Sequence, residues 1–251
     1  MLREELMYTF DSRIRYSEID KDGNLKLESL IDYFQDCSTF QTQGGPADIK
    51  YMKEKGIAWV LNSWQIEIKR FPRLCEEVTI GTLPYELKGF FGHRNFFMDT
   101  KDGERLAVAN SVWTLFNFVK GIPSRITQEM LDTYPLDEKL DMNYADRKII
   151  IPDNAEVKAG SGIVIRKSHL DTNNHVNNGQ YVRMAIEACE DGDIPVKSLR
   201  AEYKRQAVLG DTLYPEVYTP VACEGDNSRT TRVIDLKAAD GKSVCTVELT
   251  F

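Results

Sequence analysis

The sequence has 251 residues, 42% of them hydrophobic and 28% charged, with a formal net charge of −7. That balance is ordinary for a globular chain with a real core, and its sign argues against nucleic acid or an anionic membrane as a general partner. The five cysteines (Cys37, Cys75, Cys189, Cys223 and Cys245) contain no Cys-x-x-Cys pair and read as reduced thiols. No stretch approaches a membrane span, and the charged start at residues 1–6 is unlike a secretory signal, so a cytoplasmic location is expected.

In chain order, residues 7–19 read as a strand and Asp20-Lys21-Asp22-Gly23-Asn24 as a turn. Leu27, Leu30, Ile31, Phe34 and Cys37 then keep the spacing of a buried helical stripe running to about Gln41. Gly44-Gly45-Pro46 breaks it, and a short helix follows over 47–55. Four β-type segments come next, at 57–70, 76–88, 90–100 and 104–119, with Asp102-Gly103 as a hairpin turn. Residues 127–156 form a connector with a short helix near 127–134.

After it the same order returns: a strand at 157–168, a turn, a helix at 178–190, and strands near 196–207, 211–221, 228–237 and 242–251. Residue matches support a duplication. Ile14-Arg15-x-Ser17-x-x-Asp20 repeats as Ile165-Arg166-x-Ser168-x-x-Asp171, 151 residues on. Ser63, Glu67, Lys69 and Arg70 fall against Ser198, Glu202, Lys204 and Arg205, 135 residues on. The expected class is α+β, two copies of a long helix followed by an antiparallel sheet, over 1–126 and 157–251.

The chemistry concentrates in Asp171-Thr172-Asn173-Asn174-His175-Val176-Asn177-Asn178, just before the second copy's helix. Asn177 or Asn178 is suited to cap that helix, whose first N–H groups carry the positive end of the helix dipole and favour a developing oxyanion. The first copy has Asp22, Gly23 and Asn24 where the second has Asn173, Asn174 and His175, so one active site per chain is expected.

Asp-x-Asn-x-His-Val-Asn-Asn-x-x-Tyr, from Asp171 to Tyr181, resembles the signature of hotdog-fold acyl thioesterases. Ala58-Trp59-Val60-Leu61, Ile66 to Pro72, Asp99-x-x-Asp102-Gly103-Glu104, Ala109-x-Ser111-x-Trp113 and Pro123-Ser124-Arg125-Ile126 resemble, in order and spacing, the acyl-acyl-carrier-protein thioesterases of plants and bacteria. The resemblance implies a tandem hotdog fold and hydrolysis of fatty acyl thioesters of acyl carrier protein, with no metal or organic cofactor. It carries functional roles onto Asp171, Asn173 and His175, with Asn177 and Asn178 at the substrate. It also implies an acyl pocket in the first copy, bordered by Leu30, Phe34 and Trp59.

An asparagine amide can donate to the thioester oxygen or hold water, an imidazole can shuttle a proton, and Asp171 can act as base or fix the other two. The plant family has Glu then Cys on the strand after the helix, where this chain has Gln206 and Ala207. Gln206 can orient water but cannot take its proton, and Ala207 excludes a cysteine nucleophile there. Lys69, Arg70, Arg73, Lys204 and Arg205 offer a basic face for an acidic carrier protein, or simply a solvated strand end. An acyl-CoA thioesterase and a non-catalytic acyl-binding hotdog protein remain alternatives, and homodimer formation is left open.

Overall fold

The computed structural model describes residues 7–189, 194–220 and 231–251. Outside them lie residues 1–6, Cys223, and the outermost expected positions of some elements, namely 190, 221 and 228–230. The chain forms two compact units, Met1–Asn62 with Ile66–Tyr144, and Ser63–Gln65 with Ala145–Phe251. The connector expected at 127–156 does not stand apart, since its residues are shared between the units.

In the first unit β1 (Tyr8–Arg13) leads to α1 (Leu27–Gln43) and α2 (Ile49–Lys55). Then come β2 (Ile57–Ile68), β3 (Glu77–Lys88), β4 (Phe91–Thr100), β5 (Arg105–Asn117), the two-residue β6 (Ile122–Pro123) and α3 (Gln128–Thr133). The sheet order is β1-β3-β4-β5-β2, with β6 on β5. The pairings along β1, β3, β4 and β5 are antiparallel. The stripe read from the sequence is the reason α1 packs on this sheet: Leu27, Leu30, Ile31, Phe34 and Cys37 are all buried, and the Phe34 ring lies 5.4 Å from that of Phe96. Trp59 meets Tyr134 edge-on at 6.2 Å.

The second unit repeats this plan with β7 (Ala155–Ala159), β8 (Ile163–Val164), α4 (Asn178–Ala188), β9 (Ser198–Tyr203), β10 (Thr212–Pro220), β11 (Thr231–Lys237) and β12 (Ser243–Thr250). Its order, β7-β10-β11-β12-β9 with β8 also on β10, is the first unit's order renewed. The equivalence extends to single bonds. The bridges Ile19↔Leu25 and Asn24↔Arg73 recur as Leu170↔Val176 and His175↔Val208. The two offsets read from the sequence therefore hold at the level of backbone hydrogen bonds.

Several expected strands are shorter than their patterns suggested. Residues 7–19 and 157–168 each give up their last part to a 3-10 turn, Tyr16–Glu18 and Lys167–His169. A side chain captures the backbone in both: the Arg15 N–H donates to Glu18 Oε2 at 2.8 Å and the Arg166 N–H to His169 Nδ1 at 3.2 Å. The strand expected at 196–207 ends at Tyr203 because the N–H groups of Lys204 and Arg205 both go to the Val244 carbonyl. Lys69 and Arg70 share the Leu106 carbonyl in the same way at the end of β2. A bulge of this kind takes a strand out of its ladder.

Cys75 carries backbone strain that its counterpart in the second copy does not. Cys75 has φ 67, and its counterpart 135 residues on is Gly210, φ +89. A left-handed conformation costs a side chain about 1–2 kcal/mol, part of which glycine returns through its extra unfolded-state entropy. Cys75 is exposed, so little packing is lost on its removal. Cys75→Gly is expected to raise stability by about 0.5–1 kcal/mol, read as a higher urea midpoint with unchanged slope.

Candidate active site

The Asp171–Asn178 stretch is a closed turn whose shape is set by its own backbone and one carboxylate. The Asp171 N–H donates to the His175 carbonyl at 2.8 Å, and the Asn174 N–H to the Asp171 carbonyl at 3.2 Å. Asp171 Oδ1 accepts the N–H of Asn173 at 2.8 Å and of His175 at 3.2 Å. Asn174 takes φ 60, a value asparagine tolerates better than most residues. The carboxylate thus faces the backbone; among the described residues its side-chain partner is Asn173 Nδ2, at 3.5 Å from Oδ2.

The first unit holds the same turn. Asp20 Oδ1 accepts the N–H groups of Asp22 and Asn24, each at 2.9 Å, and Gly23 has φ +82 where Asn174 stands in the second. A turn without histidine keeps the full carboxylate clamp, so the clamp belongs to the scaffold.

Ala207 ties this turn to the segment after β9. Its carbonyl accepts the Val176 N–H at 3.0 Å, and its own N–H donates to the Tyr181 hydroxyl at 2.9 Å. The Tyr203 hydroxyl donates to the Asn178 carbonyl at 3.1 Å, and the two tyrosine rings meet edge-on at 5.9 Å. Gln206 therefore sits one residue before a doubly held alanine and two before Val208, which bridges His175. Its side chain is exposed and makes no hydrogen bond to a described residue.

Tyr181 closes the signature that begins at Asp171, with no role of its own assigned from the sequence. Its hydroxyl is what fixes Ala207, and a buried tyrosine in need of a partner was the available signal. Tyr181→Phe leaves the Ala207 N–H unpaired and is expected to cost about 1–3 kcal/mol, seen as a lower melting temperature. Turnover is expected to fall with it through the displaced Gln206.

Asn177 is the helix cap, its Oδ1 accepting the Gly179 N–H at 2.8 Å. The Gln180 N–H goes to the Asn177 carbonyl at 3.0 Å. These donors of the helix start are already engaged, which leaves less for an oxyanion than the sequence suggested. The side chains of Asn173 and His175 are differently placed. Asn173 is exposed, and the half-buried His175 imidazole has no hydrogen bond to a described residue. An amide with one long bond to Asp171 and an imidazole with none to a described residue thus stand on a turn whose backbone is locked.

The residues expected to border the acyl pocket fall elsewhere. Leu30, Phe34 and Trp59 lie in the first unit, the first two fully packed on the buried face of α1. His169 lines a cavity of about 200 Å³ with Ser168, Gln180, Arg183, Met184 and Glu187. Burial and the nearby Arg166 and Arg183 hold its pKa below the usual value. Cys189 is half-buried at the C-terminal end of α4, where the apolar stripe has already turned away. The basic strand ends are largely ion-paired, Arg70 with Glu76 and Glu104, Arg205 with Asp240, and Lys204 near Glu202.

Comparison with known proteins follows the same lines. The structure is similar to an acyl-ACP thioesterase from Bacteroides thetaiotaomicron, with TM-score 0.84 and 21% identity over 99% of each chain. It is also similar to the 12:0-ACP thioesterase from Umbellularia californica, with TM-score 0.80 and 20% identity over 98% of this chain and 93% of that one. These likenesses establish the α+β tandem hotdog fold. In sequence, residues 5–134 match the acyl-ACP thioesterase N-terminal domain, and the chain belongs to the acyl-ACP thioesterase family. It is 25% identical to a chloroplastic palmitoyl-acyl carrier protein thioesterase of Arabidopsis thaliana over 97% of this chain and 63% of that protein. With a chloroplastic acyl-[acyl-carrier-protein] hydrolase of Cuphea viscosissima it shares 27% identity over 97% and 61%. The chain thus spans less than two thirds of the length of these two relatives.

Proposed function

We propose that this protein hydrolyses the thioester of fatty acyl-acyl carrier protein, releasing free fatty acid and carrier, at the Asp171–His175 turn. Membership of the family supports the reaction class. The observation that carries the site is the contrast between the two turns. Both hold one carboxylate clamp, and only the second presents an amide together with an imidazole that, among the described residues, have no strong partners.

In this reading Asn173 Nδ2 donates to the thioester oxygen and stabilises the charge that grows on it. Water, oriented by Gln206, attacks the carbonyl carbon and gives its proton to His175. The C–S bond then breaks, and His175 returns the proton to the departing sulfur. Asp171 keeps the turn in shape, and Asn177 and Asn178 border the acyl end. The free cysteines Cys37, Cys75, Cys189 and Cys245 support a cytoplasmic setting.

The test is free fatty acid release from acyl carrier protein thioesters of graded chain length, with the matching CoA thioesters alongside. Faster release from the carrier protein at one or more lengths supports the proposal. Preference for CoA would make the chain an acyl-CoA thioesterase. Tight acyl binding with no release from either carrier would reduce it to an acyl-binding protein.

A further inference from the structure

One end of the first unit carries a sign of charge opposite to the chain's average. Three segments meet there: the Leu115 N–H donates to the Phe90 carbonyl at 2.8 Å, the Ile126 N–H to the Gly89 carbonyl at 3.1 Å, and the Phe118 N–H to the Gly56 carbonyl at 2.9 Å. The β3–β4 turn, the β5–β6 hairpin and the last turn of α2 are thereby held side by side.

Apolar side chains stand outward on these turns. Val119 is 83% exposed, Ile122 54%, Phe118 50% and Phe90 38%. The hairpin that raises them is built to hold its form, with the Lys120 N–H bonded to Asn117 Oδ1 at 2.8 Å and the Gly121 N–H to the Asn117 carbonyl at 2.9 Å. Lys53, Lys55, Lys88, Lys120 and Arg125 are exposed around them. Against these stand Glu54 on the same helix turn, Glu86 near His93, and Glu129 near Lys55.

We infer that this end of the first unit docks on an anionic lipid surface, the apolar turns entering the headgroup region and the basic residues meeting lipid charge. Charge complementarity selects the occupant. A chain with net charge −7 is repelled by such a surface except through a locally basic face. Raised apolar tips ringed by lysine suit an interface that yields to them. The contact is superficial, since no helix among the described residues is long and apolar enough to cross a membrane. Lipid docking is independent of thioester hydrolysis and is read without turnover.

The full chain is to be floated with vesicles of phosphatidylcholine alone and of phosphatidylcholine mixed with phosphatidylglycerol. Binding is expected to the mixed vesicles and to be weaker by about tenfold or more on the neutral ones. Val119→Asp, and the pair Lys88→Glu with Lys120→Glu, should each lower binding by about tenfold or more while leaving the melting temperature in place. Absence of flotation, equal binding to both vesicle types, or binding that neither variant reduces overturns the inference. So does the finding that these variants weaken only the association with acyl carrier protein, which would make the face a protein-docking surface.

Discussion

Asn173→Ala and His175→Ala are each expected to lower free fatty acid release by roughly a hundredfold or more, with little change in stability. Neither side chain supports the fold. Asn173 is exposed with one long contact to Asp171, and the His175 imidazole has no hydrogen bond to a described residue. The bonds that shape the turn come from their backbone N–H groups, which alanine retains. A shift of no more than about 2 °C in melting temperature is therefore expected. Initial rates on the best carrier-protein thioester, with thermal melts of the same preparations, check both halves. If His175→Ala keeps near-parental rates, the proton passes elsewhere and the proposed site is wrong.

Asp171 allows a sharper division, because the first unit supplies its control. Asp171→Ala and Asp20→Ala each remove an acceptor shared by two backbone N–H groups and are expected to destabilise by about 1–2 kcal/mol. Only the change at 171 should abolish hydrolysis. Asp171→Asn keeps an oxygen for both N–H groups and discards the negative charge. If the carboxylate acts as a clamp, this variant should retain activity within roughly tenfold of the parent. A hundredfold loss with unchanged stability would instead make Asp171 the proton acceptor. Urea titrations and initial rates on the four proteins decide between the two.

Much of this arrangement was legible in the sequence because it rests on local chemistry. The stripe from Leu27 to Cys37 pointed to α1, asparagine before an amphipathic run to a cap at Asn177 or Asn178, which the structure places at Asn177, and the matched Asp20 and Asp171 to the duplication. What stayed hidden depends on side chains that capture a backbone N–H or on atoms brought from a distance. The 3-10 turns exist because Glu18 and His169 reach back to a backbone N–H three residues earlier. The early end of β9 depends on Val244, some forty residues on, and the role of Tyr181 on Ala207. The basic end of the first unit is hidden more thoroughly. Its lysines come from three separate segments, and a whole-chain charge of −7 averages them away.

The two aspartate turns also bear on how such a chain can change. Within one loop, the atoms that hold its shape face inward to the backbone, and those offered for chemistry face out. Mutation can therefore rewrite the outward set without unfolding the inward one, as the first copy already illustrates with Asp22 and Asn24 on an intact frame. The first copy is thus a ready-made recipient: a histidine and an amide placed on it would start from a loop already closed, with folding and reactivity open to selection one at a time.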